Sequence, residues 1–260
     1  MNLKETKPLY ILKEIASVLR SENGCAWDKE QTSKTLKPYL IEEAYEVYDA
    51  IDMNDNENLK EELGDLLYQI YAHSQIASEA GLFTLDDVAE AITAKLIRRH
   101  PHVFGDDGQA TADEVKEKWE KIKTEEKSGR ESILDGVPKG MPALLKAYRI
   151  QEKVSRIGFD WESIKGAEDK LDEEITELKE AVKLGNHEKI SDEAGDVLFS
   201  IVNVLRFAGI EPESALNSTI KKFTGRFKYI EKKSAESGKQ ISQMSLPEME
   251  ELWEEAKKIS

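Results

Sequence analysis

The chain has 260 residues, 39% of them hydrophobic and 34% charged, with a formal net charge of −15 at pH 7. That length fits one large domain or two small ones, no apolar run approaches the roughly 18 residues a membrane helix needs, and the charge disfavours nucleic-acid backbones as partners. The single cysteine, Cys25, rules out an intrachain disulfide framework and fits a reducing, cytoplasmic setting.

Glycine (15) and proline (7) are sparse and Ala, Leu, Glu and Lys dominate, which favours helices. The start carries Lys4, Glu5, Lys13 and Glu14 among apolar residues, an amphipathic pattern unlike a signal peptide. In chain order, apolar periodicity predicts helices over Pro8–Arg20, Lys37–Met53, Leu59–Ala80 and Leu85–His100, with a short tail helix around Asp113–Glu126. The stretch 127–142 then collects Gly and Pro and has no helical period, so it reads as a linker. Beyond it the expected helices are Ala143–Ile157, Glu168–Leu184, Lys189–Ala208 and Glu211–Ser234, with a tail around Ser245–Lys258. Gly185 and Gly209 stand where two of them should stop. Short loops favour antiparallel neighbours, so the expected architecture is all-α: a helical module over 1–126, the linker 127–142 and a second module over 143–260.

The two modules are copies. Leu40-Ile-Glu-Glu-Ala-Tyr-Glu46 resembles Leu171-Asp-Glu-Glu-Ile-Thr-Glu177, and Glu61-Glu-Leu-Gly-Asp-Leu-Leu-Tyr68 resembles Asp192-Glu-Ala-Gly-Asp-Val-Leu-Phe199. The spacing between the blocks is the same in both halves, 62−43 = 19 and 193−174 = 19. Gly24-Cys-Ala-Trp27 pairs with Gly158-Phe-Asp-Trp161, Lys95 and Arg99 with Lys222 and Arg226, and Trp119 and Lys123 with Trp253 and Lys257.

At about 100° per residue, Leu40, Ile41, Ala44, Val47, Tyr48 and Ile51 form an apolar stripe bordered by Glu43 and Glu46, while Asp49 and Asp52 point elsewhere. On the next helix Leu63, Leu66, Leu67 and Ile70 are expected inside, with Glu62 and Asp65 at the edge. Glu174, Glu177, Glu193 and Asp196 repeat the arrangement. Ala50 and Ala181, seven residues after Glu43 and Glu174, leave room for a neighbouring group. Gly64 and Gly195 cost helix propensity, about 1 kcal/mol against Ala, so each points to close approach of a backbone or ligand. Residues three apart on a helix share a side, so two adjacent helices bring four carboxylates together. Such anions repel unless a cation joins them, and an all-oxygen donor set suits Mg²⁺ or Mn²⁺.

These blocks resemble the Glu-Glu-x-x-Glu and Glu-x-x-Asp motifs of the MazG family, all-α nucleoside triphosphate pyrophosphohydrolases, in its two-module form. Asn23-Gly-Cys-Ala-Trp-Asp-Lys-Glu-Gln31, Arg98-Arg-His-Pro-His-Val-Phe104 and the segment from Lys153 to Trp161 are similar to it too. The resemblance implies Mg²⁺-dependent hydrolysis of nucleoside triphosphates to monophosphate and pyrophosphate, in a homodimer. It implies that Glu174, Glu177, Glu193 and Asp196 are metal ligands, with Glu43, Glu46, Glu62 and Asp65 as their first-half counterparts. It further implies that Lys222, Arg226, Trp253 and Lys257 contact nucleotide, with Lys170, Lys189 and Asp192 as further substrate-side residues. Ser191-Asp192 departs from the Glu that family members often carry. Glu173 and Glu42, which flank the ligands, are the first candidates for a proton acceptor. Lys222 and Arg226, four apart on one face, are candidates to clamp phosphate oxygens, and Trp253 to stack on a base.

Two other readings compete. A di-iron carboxylate bundle uses Glu-x-x-His pairs, but the third residue after each acid here is Glu or Asp, and none of His73, His100, His102 and His187 has that spacing. A non-enzymatic acidic interaction module predicts no pyrophosphate release. No Gly-x-x-x-x-Gly-Lys loop is present, which removes a P-loop NTPase.

Overall fold

The computed structural model describes residues 7–105, 111–112, 114–115, 118–119, 122, 126 and 131–259. Lys123 and much of the expected tail helix at 113–126 lie outside them. Among the described residues there are helices and no strand, and no helix is long and apolar enough to cross a membrane. The chain divides into two compact units, Met1–Ser128 and Gly129–Ser260.

In the first unit the helices are α1 (Pro8–Arg20), α2 (Ala26–Glu30), α3 (Ser33–Met53), α4 (Asn56–Glu79), α5 (Leu85–Arg99) and α6 (Pro101–Phe104). α3 and α4 pack along each other, with α1 and α5 against α4. In the second unit a 3₁₀ turn (Ile133–Gly136) precedes α7 (Ala143–Ser155), α8 (Ile164–Leu184), α9 (His187–Phe207) and α10 (Pro212–Glu236); a second 3₁₀ turn (Ile241–Gln243) leads into α11 (Leu246–Lys257). α8 and α9 form the main pair, α7 packs on α9, and α10 packs on α7 and α11.

Local chemistry sets the ends. α3 begins four residues before the expected Lys37, because Thr32 and Thr35 form a capping box. The cap satisfies the first turn and outweighs the donor lost at Pro38, inside the helix. α5 stops at Arg99 before Pro101, which opens the separate turn α6, whereas α10 runs unbroken to Glu236.

Both helix pairs turn in the same way. α3 ends on Asn54 in the left-handed region (φ 54°) and α8 on Gly185 (φ 69°). The next residue caps the partner helix: Asp55 Oδ1 accepts from the Asn58 N–H at 3.1 Å, and Asn186 Oδ1 from the Lys189 N–H at 3.2 Å. This turn fixes a register. Glu46 and Glu62 stand eight residues before and after Asn54 (54−46 and 62−54), Glu43 and Asp65 eleven (54−43 and 65−54). Around Gly185 the same offsets hold for Glu177 and Glu193 (185−177 and 193−185) and for Glu174 and Asp196 (185−174 and 196−185). Each pair of acids therefore forms a rung across an antiparallel helix pair.

The buried core is built largely of small residues, among them Ala50, Ala72, Ala77, Ala167, Ala181, Val202 and Ile230. The expected interior stripes are only half covered. Leu63, Ile70, Ile41 and Ile51 are exposed in the first unit, and Val182, Leu198 and Ile201 in the second. Among the described residues, the helices packed on α4 and α9 leave part of each apolar stripe uncovered. Neither Gly64 nor Gly195 meets another backbone among the described residues: a Cβ at either would meet no protein atom within 4 Å. Both lie on the open side of the helix pair.

Candidate metal centre and active site

In the second unit, carboxylate oxygens of Glu174, Glu177 and Glu193 lie within 4.8 Å of one another. Glu174, on α8, is the buried member. The pKa of Glu193 is raised from its ordinary 4.5, first by desolvation, then by the charges of Glu177 and Glu174, with Asp196 adding to them. In the first unit Glu43, Glu62 and Asp65 form the corresponding group within 4.8 Å. The pKa values of Glu43 and Glu62 are raised by desolvation and by neighbouring acids, Glu46 acting on both. Six of the eight predicted ligands form the two triads, and Glu46 and Asp196 stand beside them and act on them through charge. Their donors are hard oxygens alone, and their mutual repulsion is what a divalent cation removes, so the residues fit Mg²⁺ or Mn²⁺.

The counter-charges differ between units. Lys170 Nζ lies 2.6 Å from Glu174 and donates to Glu173 at 3.0 Å. Both contacts hold the ammonium pKa well above its ordinary range, Glu174 foremost. Glu173, the first candidate for a proton acceptor, is therefore tied to Lys170 at the edge of the cluster. The aligned first-unit position is Tyr39 (170−131). There Glu43 instead accepts a hydrogen bond from the Gln69 amide at 3.3 Å, which partly offsets the rise in its pKa caused first by desolvation. Sequence reasoning singled out neither the Lys170 ion pair nor Gln69. An i, i+4 Lys–Glu spacing was the only available signal for the former.

Of the nucleotide-side candidates, Arg226 and Trp253 come together. The guanidinium lies 5.6 Å from the ring centroid, and Phe223 packs on the same ring at 5.1 Å. Lys257 is exposed and paired with Glu254 at 2.5 Å. Lys222 is exposed on α10, and Lys189 and Asp192 are exposed in the first turns of α9.

Beside the second cluster lies a cavity of about 520 Å³. Its wall includes Glu174, Asp196 and Lys170 as well as Phe159, Trp161 and Phe199. The segment carrying Phe159 and Trp161 is pinned by Asp160, whose Oδ1 accepts from Arg206 of α9 and from the Trp161 N–H. Sequence reasoning found Trp161 as a repeat anchor and missed the Asp160–Arg206 pair.

The model of the MazG nucleotide pyrophosphohydrolase domain matches residues 31–104 and 163–230, the two helix pairs with their clusters. The chain is 45% identical over 259 residues to the nucleoside triphosphate pyrophosphohydrolase/pyrophosphatase MazG of Thermotoga maritima, covering 98% of both chains. It is 43% identical to the nucleoside triphosphate pyrophosphohydrolase of Escherichia coli K12, over 91% of this chain and 92% of that one. A solved MazG-related protein from Thermotoga maritima is 29% identical, with a TM-score of 0.39, over 44% of this chain and 98% of its own.

Proposed function

The chain belongs to the MazG nucleotide pyrophosphohydrolase family, and on that premise we propose that it hydrolyses nucleoside triphosphates to monophosphate and pyrophosphate, with Mg²⁺, at the α8–α9 carboxylate cluster. The observation that carries the proposal is the pair of carboxylate rungs, set at the same offsets from a left-handed turn in both units. Glu174, Glu177, Glu193 and Asp196 would hold the ion, and Mn²⁺ suits the same donors. When bound, the ion offsets triphosphate charge and supplies an activated water for attack at the α-phosphorus.

The remaining roles belong to the chain itself. Glu173 accepts the proton of the attacking water, and Lys170 beside it orients that carboxylate. Lys222 and Arg226 bind phosphate oxygens, with Lys189 and Lys257 adding positive charge and Asp192 shaping the edge of the cluster. Arg226 and Phe223 hold the Trp253 ring in place. Base specificity is broad, as suits upkeep of the cytoplasmic nucleotide pool. The exposed apolar faces of α4, α8 and α9 support a homodimer. The functional modules are 1–126 and 143–260, joined by 127–142, and the second is the working one.

The test is product analysis with a panel of nucleoside triphosphates and Mg²⁺. Monophosphate and pyrophosphate are expected. Diphosphate and orthophosphate as main products would reject attack at the α-phosphorus, and no turnover of any triphosphate would favour the acidic interaction module.

A further inference from the structure

We propose that Arg98 and Arg99 of the first unit form a site for a phosphate-chain anion, and that Glu126 occupies this site from within the chain. The inference rests on the proposed function for the role of the aligned Arg226. It goes beyond that reading by naming what the first unit's guanidiniums are shaped to hold and what holds them instead.

The basic helix α5 ends in two arginines that converge on one carboxylate. Arg98 Nε donates to Glu126 Oε1 at 2.6 Å, and its Nη2 lies 2.5 Å from the same oxygen. Arg99 takes the other oxygen: Nε donates to Oε2 at 3.0 Å, and Nη2 donates to it as well. Each oxygen is thus gripped by two N–H groups of one guanidinium, the fork by which arginine holds carboxylate and phosphate alike. Arg99 is only 7% exposed and lies 5.2 Å from the centroid of the Trp119 ring. These bonds, Arg99 foremost, hold the Glu126 carboxyl down to about 2. Two positive charges face one negative here, and a phosphate group offers a second charge and a third oxygen.

The acid is particular to this half of the repeat. Arg99 aligns with Arg226 and Trp119 with Trp253, and in both units the guanidinium lies beside the ring, at 5.2 and 5.6 Å. On the offset that aligns the tryptophans (253−119 = 134), Glu126 falls on Ser260 (126+134). The second unit keeps the arginine–tryptophan pair and has no acid at that position. In the first unit a triphosphate has to displace a carboxylate that belongs to the same chain. A tethered anion competes at high effective concentration, so Glu126 keeps the first unit from taking the substrate's phosphates.

The experiment is equilibrium dialysis of the full chain with α,β-imido-ATP and Mg²⁺, wild type against Glu126→Gln, which keeps the shape and deletes the charge. The variant is expected to bind one equivalent more than wild type, and adding Arg99→Met to remove it again. Equal stoichiometry in wild type and Glu126→Gln overturns the proposal, as does an extra equivalent that survives Arg99→Met. Inorganic tripolyphosphate, run in parallel, separates the sources: an extra equivalent of both marks the phosphate chain as what is recognised, and of one alone names the source. If the variant melts too low for dialysis, calorimetry reads the same site. Tripolyphosphate is then expected to raise its melting temperature more than that of wild type, and an equal rise overturns the proposal. The readout is a difference between two chains and needs no turnover. A wild type that releases no pyrophosphate from any triphosphate fails the proposed function and leaves this comparison standing.

Discussion

Glu174→Gln removes one negative charge and one ligand with little change of shape. Its carboxylate lies within 4.8 Å of those of Glu177 and Glu193. Two unit charges that far apart interact by about 0.9 kcal/mol in bulk water and about 3.5 kcal/mol at an effective dielectric of 20. A divalent ion set among the acids turns that repulsion into attraction. Removing one acid forfeits attraction of at least this size, between about fourfold and about 300-fold in ion affinity at roughly 1.4 kcal/mol per tenfold. Glu174 is 5% exposed, which places it toward the upper end. The assays are Mn²⁺ binding by electron paramagnetic resonance without nucleotide, and the Mg²⁺ dependence of pyrophosphate release. Helicity is checked by circular dichroism. Glu43→Gln is the matched control. It changes the same rung in the unit whose basic helix ends at Arg99, whereas α10 continues to Glu236, so it should keep most of the activity. Equal losses from both variants, or an unchanged Mg²⁺ requirement in Glu174→Gln, would refute the assignment.

EDTA should abolish pyrophosphate release, and Mg²⁺ or Mn²⁺ should restore it; full turnover in EDTA would exclude a metal mechanism. The raised pKa of Glu193 gives stability that is complete below 4.5 and lost as pH rises through the folded value. In EDTA, Glu193→Gln should therefore melt above wild type at pH 7.5 and lose that advantage toward pH 4.5, as read by calorimetry. Glu126 and Glu248, held down to about 2 by Arg99 and Lys239, stay ionised across this window. Lys170→Met should tighten Mn²⁺ binding in the absence of nucleotide, because the ammonium on Glu174 competes for the same oxygens; weaker binding would show that Lys170 organises the site. Light scattering at micromolar concentration should give a dimer mass, and a monomer would leave the apolar faces of α8 and α9 unexplained.

The sequence made the clusters legible because all eight acids recur at one spacing, and three-residue offsets on a helix translate directly into a shared side. It also made the helices legible, since Gly185 and Pro101 are chemically unambiguous stops. The stripes were misread at Leu63, Ile70 and Leu198 for a definable reason. Periodicity tells which face is apolar, but not whether the unit itself covers that face. Gly64 and Gly195 meet no backbone neighbour among the described residues, while Gly166, which does sit against the Trp161 ring, lies where a first-turn glycine looks ordinary. Gln69 and Gln151 carry no signal at all, because an amide's role depends on which of its two ends finds a partner in the folded chain.

The turn at Asn54 and Gly185 has a consequence for how such a site arises. Every proposed ligand lies within a single stretch, 43–65 or 174–196, so the donor set is contiguous along the chain. Contacts this local close short loops and form with little entropic cost. Each cluster can therefore assemble as soon as its own helices pair, without waiting for distant segments. The same contiguity makes the chelator heritable as a unit. Copying one short gene segment copies all four oxygen donors and the ruler that sets them level. The two copies are then free to drift apart only in what is recruited from outside the hairpin, such as the basic helix, the aromatic segment and the counter-ion.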